Sequence, residues 1–417
     1  MSRHVTIIGA GIIGLATAYY SLQRGLSVRI VEKQGADRDG CSYGNTGMIV
    51  PSHFIPLAAP GMIGVGFKSM WNSESPFYIK PTLSPELIKW GVRFARSCTK
   101  AHVNRAAPLL CNLHLASRTC YEELSDELDD VFSMARNGLL MMCETQKTLD
   151  EEAKLAERGQ EMGIVSEVLN GQQTNRVDPG MTSDVCGSVY FKQDCHLVPE
   201  LLMDALQKRV EELGAEMVWD TEAFGFESRG SQIDRLVTSN GNIDVQEVVL
   251  AGGSWTGSLC RELGLKLPMQ AGKGYSMTLE QPRELPTICA ILTEAKVAVS
   301  PMNGSLRFGG TMELSGIDES VSESRVRGIA KSIPRYFPNF RPEDFASSKP
   351  WVGLRPCSPD GLPYVGRTRR VDNVVIASGH AMMGNSLAPI TGKLVAEVIL
   401  GDRPEYDIEL LSPDRFS

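Results

Sequence analysis

The chain has 417 residues, 42 basic and 50 acidic, for a formal net charge of −8, and 42% of its residues are hydrophobic. This ordinary globular composition excludes a disordered or collagen-like chain, and the acidic balance argues against nucleic acid as a partner. The length predicts two or three domains, and 40 glycines exceed the roughly 7% of an average protein.

In chain order, Arg3 and His4 precede a small and apolar run that imitates a secretory signal but reads better as strand, turn and helix. Residues 5–8 are a β-branched run suited to a buried parallel strand. Gly9-Ala10-Gly11-Ile12-Ile13-Gly14 follows, residues 15–24 read as a helix stopped by Gly25, and residues 27–32 form a second strand. Residues 35–81, rich in Gly, Pro, Ser and Asn, read as irregular, and helical periodicity returns at 85–96 and 105–128. A strand at 138–142, a charged helix at 146–162 and an amphipathic helix at 197–213 come next, the last with Pro199 in its first turn. Strands alternate through 215–250, and residues 247–251 are a buried strand ending in Gly252-Gly253. Residues 268–311 read as antiparallel strands, with a tight hairpin at Asn303-Gly304. A helix at 321–334, a strand at 373–377, a glycine-rich turn at 378–386 and a helix at 389–400 complete the pass.

The ten cysteines show neither a CxxC nor zinc spacing, so unpaired thiols in a reducing cytosol are expected and no metal. No apolar run approaches the roughly 20 residues of a membrane span. The protein is therefore read as soluble and cytoplasmic, at most peripheral at the inner face of the cell membrane. Residues 54–67 are apolar but broken by Pro and Gly; they read as a buried loop or as an exposed patch meeting a membrane or quinone.

The first motif is Gly9-x-Gly11-x-x-Gly14, directly after a buried strand and opening a helix, with Glu32 ending the next strand. Gly9 permits the tight turn, Gly11 lets backbone approach a pyrophosphate, and Gly14 lets helix and strand pack closely. The helix amides near Ile12 and Ile13 face the phosphates. A carboxylate at Glu32, followed by Lys33, accepts ribose hydroxyls and repels a 2′-phosphate, so a dinucleotide of the FAD or NAD type is expected. A second segment, Ser42-Tyr43-Gly44-Asn45-Thr46-Gly47-Met48, presents backbone N–H groups to a phosphate or ring edge. A third, Ala251-Gly252-Gly253-Ser254-Trp255, lets backbone lie against a flat ligand. A fourth, Gly379-His380-Ala381-Met382-Met383-Gly384-Asn385, opens the last helix. Ala223, among the strands of 215–250, is counted with the cofactor residues.

These segments, with Gly272-Lys273-Gly274-Tyr275-Ser276 and the run from Trp351-Val352-Gly353-Leu354-Arg355-Pro356 to Arg367, resemble the FAD-dependent D-amino acid dehydrogenases. That family lies within the wider group of D-amino acid oxidase and glycine oxidase, and the likeness spans nearly the whole chain. The resemblance implies bound FAD and oxidation of an amino acid to an imino acid by hydride transfer from Cα to flavin N5. Electrons then pass to a quinone or an electron-transfer protein. It implies an α/β fold: a Rossmann-like FAD-binding domain from discontinuous segments 1–82, 140–265 and 350–417, with an inserted α+β substrate domain at 83–139 and 266–349 carrying a mostly antiparallel sheet. By the same resemblance Arg355 holds the substrate carboxylate, which suits a guanidinium fork.

Tyr275 is a candidate second carboxylate contact or a core residue, and Lys273 a flavin or phosphate neighbour or an exposed lysine. His53 and His380 are pocket candidates, His380 being read chiefly as structural. Met382 stands where glycine oxidase-like relatives carry an arginine. A more apolar pocket roof is therefore expected, favouring a larger or cyclic D-amino acid such as D-proline or 4-hydroxy-D-proline. An oxygen-using oxidase of the glycine or sarcosine type, an NAD-linked dehydrogenase and a flavin-binding subunit of a hetero-oligomer remain the alternatives.

Overall fold

A computed structural model describes residues 3–64, 75–79 and 84–417. The expected boundary between 82 and 83 and the end of the apolar stretch, 65–67, lie outside the described residues.

The β-branched run at the start becomes the strand His4–Ile8, in the middle of a sheet that is six-stranded among the described residues. The order is Tyr364–Arg367, Val374–Ser378, Glu247–Leu250, His4–Ile8, Ser27–Val31, Glu216–Val218. All neighbours are parallel except the edge pair of Tyr364–Arg367 and Val374–Ser378. Strands from the beginning, middle and end of the chain thus share one sheet. Val5, Ile7, Val249 and Val375 are fully buried because both faces are covered. The helices Ile12–Gln23 and Gly384–Leu400 lie on one side, so close together that a Cβ on Gly392 would come within 2.5 Å of the Ala16 carbonyl. A small antiparallel sheet, Ala223–Arg229, Gln232–Thr238 and Gly241–Asp244, packs Ile233 and Leu236 against Val248 and Ile376 on the other.

A second sheet, nine-stranded among the described residues, runs Trp351–Cys357, Gln270–Leu279, Ser305–Leu314, Val297–Met302, Cys289–Leu292, Leu139–Cys143, Gly187–Phe191, Ser166–Asn170, with Phe77–Ile79 beside Ser305–Leu314. It is antiparallel apart from two pairs. The hairpin expected at Asn303-Gly304 is present: Met302 pairs with Ser305, and both central residues have positive φ, 49° and 95°.

The expected domain limits need correcting at both ends of this sheet. Residues 140–143, Ser166–Asn170 and Gly187–Phe191 fall in the expected nucleotide segment 140–265, and Trp351–Cys357 in 350–417, but all hydrogen-bond into the large sheet. These strands range from apolar Leu139–Cys143 to mostly polar Ser166–Asn170, so composition assigns them no common sheet; only register does. Conversely the helix Lys100–Glu127, expected with the substrate segment, packs on Gly384–Leu400. Its Tyr121 hydroxyl donates to the Asn385 carbonyl at 2.6 Å. That contact explains why the last helix starts at Gly384 rather than 389. Pro389 sits inside it and leaves the Asn385 carbonyl without its helical donor, and Tyr121 supplies one.

All ten cysteines are free. Among the described residues no His, Cys, Asp or Glu cluster has the makings of a metal site, and no helix is long and apolar enough to cross a membrane.

Candidate active site

A cleft of about 800 Å³ lies between the two sheets. One wall consists of the C-terminal ends of the parallel strands (Ile8-Gly9, Val31-Glu32, Ala251 to Gly253, Ala377-Ser378), where open α/β sheets bind ligands. The other is the face of the large sheet: Met141, Tyr275, Ile291, Ala298, Thr311 and Arg355.

The parallel-sheet wall is made of backbone. Gly9 has φ +108°, and a Cβ there would sit 2.7 Å from the Ala251 carbonyl oxygen. Helix Ile12–Gln23 begins at Gly11 with no side-chain cap, and Ser42 Oγ accepts from the Ile12 amide at 3.0 Å. Glu32 accepts from the Ala10 amide at 2.8 Å through one oxygen and from the Gln34 amide at 3.0 Å through the other. Both oxygens keep a lone pair for a ribose hydroxyl. Lys33 lays its ammonium 3.5 Å from the Trp255 ring centroid. Asn45 closes an Asx turn by accepting from the Gly47 amide at 2.7 Å. The large sheet holds that turn: Ser276 Oγ donates to the Gly44 carbonyl at 2.7 Å and Arg307 Nη1 to that of Asn45 at 2.9 Å.

Of the expected cofactor residues, Gly9, Gly11, Ile12, Ile13, Glu32, Lys33, Ser42, Gly44, Asn45, Thr46, Met48, Ala223, Ala251, Gly252, Gly253, Trp255, His380, Gly384 and Asn385 line the cleft. Gly14, Gly47 and Gly379 do not: a Cβ on each would strike the Gly9 carbonyl, the Leu197 carbonyl and the Tyr364 ring respectively, so they serve packing. Arg38 is a cleft residue that sequence reasoning misses. It is buried, donates through Nε to the Ala10 carbonyl at 3.0 Å, lies over the Trp219 ring and keeps Nη2 without a partner among the described residues. A lone arginine in a loop carries no pattern that singles it out.

On the large-sheet wall, Arg355 donates through Nη1 to the Thr311 carbonyl at 2.6 Å. Thr311 has φ 69°, a strained conformation for a β-branched residue, and among the described residues no carboxylate forms an ion pair with Arg355. Burial lowers its pKa, and only the Cys41 and Cys357 thiols push back. The guanidinium occupies the space over Gly274, where a Cβ would lie 2.2 Å from Nη2. Tyr275 reaches the cleft, yet its hydroxyl donates to Glu313 at 3.0 Å; burial, then the Glu313 charge, raise its pKa. Lys273 is 1% exposed and lies outside the cleft. Its ammonium sits 3.0 Å from Asp318 and 3.7 Å from Glu313, so both the flavin-neighbour and the exposed readings are corrected to an internal ion pair.

His53 and His380 both line the cleft. His380 faces Thr391 Oγ1 through Nε2 at 3.0 Å, and burial pushes its pKa down to about 3. His53 shares Nδ1 with Ser52 Oγ at 2.9 Å; burial, then Lys296, bring it to about 4. Met382 is at the cleft but 57% exposed, at its mouth rather than as an enclosed roof. The apolar loop divides: Phe54, Pro56 and Ala58 are buried, Leu57 and Met62 line the cleft, and Pro60, Gly61, Ile63 and Gly64 are exposed.

Residues 4–398 match the family model described as FAD dependent oxidoreductase (DAO). A D-amino acid dehydrogenase of Vibrio atlanticus is 29% identical over 421 residues, covering 99% of each chain. One of Agrobacterium fabrum is 28% identical, covering 99% of this chain and 100% of its own. In fold, the chain resembles glycine oxidase from Geobacillus kaustophilus (TM-score 0.79, 23% identity, 100% of both chains). It also resembles L-proline dehydrogenase from P. horikoshii (TM-score 0.75, 18% identity, 100% of this chain and 98% of that one).

The residues present fit FAD. The cleft is lined by Gly11, Gly252, Gly253 and Gly384, at which an added Cβ would meet no protein atom closer than 3.5 Å, so side chains there would stand in open space at the cleft wall. Arg38 Nη2, Asn385 Nδ2 and His380 Nδ1 are buried at that wall with no partner among the described residues, and a ligand rich in acceptors satisfies such groups. Glu32 suits the adenosine ribose and the start of helix Ile12–Gln23 the pyrophosphate.

Proposed function

This chain belongs to the FAD dependent oxidoreductase family, and from that premise we propose that it oxidises a neutral D-amino acid at Cα. The product is an imino acid, and the electrons pass to a quinone or an electron-transfer protein. The observation that carries the reading is Arg355: a guanidinium in the cleft wall, held by one carbonyl and paired with no carboxylate among the described residues. Such a group is complementary to a ligand carboxylate, which takes two of the four remaining N–H donors as a fork. The relatives named D-amino acid dehydrogenase, matched over almost the full chain, support the substrate class.

Bound FAD supplies the two-electron acceptor for the hydride. The protein's part is placement. Thr311 aims the guanidinium, the guanidinium fixes the carboxylate, and a fixed carboxylate leaves Cα–H a single orientation. Met48, Val50, Met141, Ile291 and Ala298 surround the remaining space with apolar surface, which favours an aliphatic or cyclic side chain such as that of proline or 4-hydroxyproline. The exposed residues after Ala58 suit peripheral contact with a membrane-borne acceptor on the cytoplasmic side.

The test is anaerobic mixing of the yellow holoenzyme with paired D- and L-amino acids, both proline and 4-hydroxyproline isomers included. Flavin bleaching by D-isomers, followed by reoxidation with a quinone faster than with air, is expected. Bleaching by L-isomers alone sinks the stereochemical assignment, and fast reoxidation by oxygen with hydrogen peroxide formed makes the protein an oxidase.

A further inference from the structure

Amino acids bind as ammonium ions, whereas loss of hydride from Cα needs the nitrogen lone pair. A proton must therefore leave nitrogen first. In the cleft wall, Ser52 Oγ donates to the Asp194 carboxylate, and the Ser52 amide donates to the same carboxylate at 3.1 Å. Ser52 Oγ also lies 2.9 Å from His53 Nδ1. A hydroxyl that gives its only proton to Asp194 can only accept from the imidazole, so Nδ1 carries the ring proton and Nε2 is left with a lone pair. Among the described residues no protein atom takes that lone pair, and the ring lines the same cleft as Arg355. Asp194 itself is 0% exposed, in the turn between strands Gly187–Phe191 and Cys195–His196.

We propose that His53, Ser52 and Asp194 form a proton relay that takes the ammonium proton of the bound amino acid before Cα oxidation. An N–H bond of the substrate breaks and its proton joins His53 Nε2. The Nδ1 proton moves to Ser52 Oγ, and the Ser52 hydroxyl proton moves to Asp194. The substrate is left as a neutral amine, His53 as a neutral ring of the opposite tautomer, and Asp194 as a neutral acid. Release of product to water lets the same path run backwards and return the proton to solvent. The environment suits this direction. Burial pushes the Asp194 carboxyl up to about 7, so the carboxylate accepts a proton readily. Burial and Lys296 keep His53 from holding a charge of its own. The groups facing the relay are Lys296 and His114 around His53, and Arg118, Cys195 and Cys289 around Asp194. His53 is the catalytic residue, and Ser52 and Asp194 are positioning residues.

The relay rests on the amino acid reading above, and the experiment separates the two. Flavin reduction by a bleaching D-amino acid is followed from pH 5 to 10 in stopped flow for the wild type, Ser52→Ala, His53→Asn and Asp194→Asn. The wild-type rate should rise through about pH 7 and level off. The variants should lose that plateau and climb about tenfold per pH unit toward the amine's own pKa, with a deficit on the order of 10²-fold at neutral pH. A second readout needs no turnover: ¹⁵N NMR of histidine-labelled holoenzyme, with His53 assigned by its loss in His53→Asn. A ring protonated at Nδ1, shifting toward Nε2–H in Ser52→Ala, is expected. An Nε2–H ring in the wild type, or wild-type pH profiles in Ser52→Ala and His53→Asn, overturns the relay while amino acid oxidation stands. A wild type that no amino acid bleaches removes both. Should Asp194→Asn fail to fold, Ser52→Ala, which deletes one oxygen, still breaks the path and decides the question.

Discussion

The two walls of the cleft are built on different principles. The parallel-sheet wall presents mainly backbone to the cleft: glycines at 9, 11, 44 and 252, a helix start without a side-chain cap, and Glu32 held by two amides. The large-sheet wall presents side chains, Arg355 held by Thr311 and Tyr275 by Glu313, both partners on another strand. A backbone site tolerates no added atom but needs little support. A side-chain site tolerates changes in volume but fails when one partner is removed. The difference teaches that substitutions of one kind should separate cofactor content from turnover.

The largest expected effect lies on the side-chain wall. Arg355→Ala should lower kcat/KM on the order of 10²–10⁴-fold, because a charge pair with the substrate carboxylate is lost. Steady-state kinetics on protein of unchanged flavin absorbance checks it, and near-normal turnover would remove Arg355 from the site. Behind the backbone wall, where Gly14 packs under the Gly9 turn, Gly14→Ala should reverse the pattern. The new Cβ would meet the Gly9 carbonyl oxygen at 1.9 Å. A stability loss of about 3 kcal/mol, at the upper end for overpacking, should appear as a lower Tm and colourless protein. Flavin retained at full occupancy would show that the turn can shift.

Glu32→Gln keeps the shape and drops the charge, so FAD affinity should weaken by about 1–2 kcal/mol, read by flavin fluorescence titration, with kcat of the reloaded enzyme unchanged. Met382→Ala, at an exposed mouth position, should change KM by no more than about twofold, the equivalent of the roughly 0.5 kcal/mol of surface substitutions. A larger change would restore Met382 as a true roof over the substrate.

Legibility in the sequence follows the same division. The dinucleotide turn, the Asn45 turn and the Ala251-Gly252-Gly253 strand end are legible because their glycines cluster within a few residues, although what holds them, Ala251 against Gly9 and Ser276 and Arg307 on the Asn45 turn, comes from far along the chain. The hairpin at Asn303-Gly304 is legible for the same reason. The segment containing Arg355 is readable only by family resemblance, because nothing within it says that Thr311 lies opposite or that no carboxylate among the described residues pairs with it. Lys273 shows the cost of local reading: its sequence neighbours are glycines, but its partners, Glu313 and Asp318, come from a neighbouring strand and the loop beyond it. Arg38 and the pairing of Ser52 with Asp194 leave no signal at all.

By itself, then, the sequence determined the strand–glycine–helix unit, the acid that follows it and the order of the elements. Period, turn chemistry and backbone sterics act over a handful of residues. Only the tertiary structure decided that strands from residues 139–191 and 351–357 join one large sheet, that Tyr121 completes the last helix around Pro389, and that Arg355, His53 and the glycines of the nucleotide turn face one cleft. Those outcomes depend on register and on packing between residues hundreds apart, where hydrogen-bond satisfaction in the whole fold, not local preference, chooses each partner.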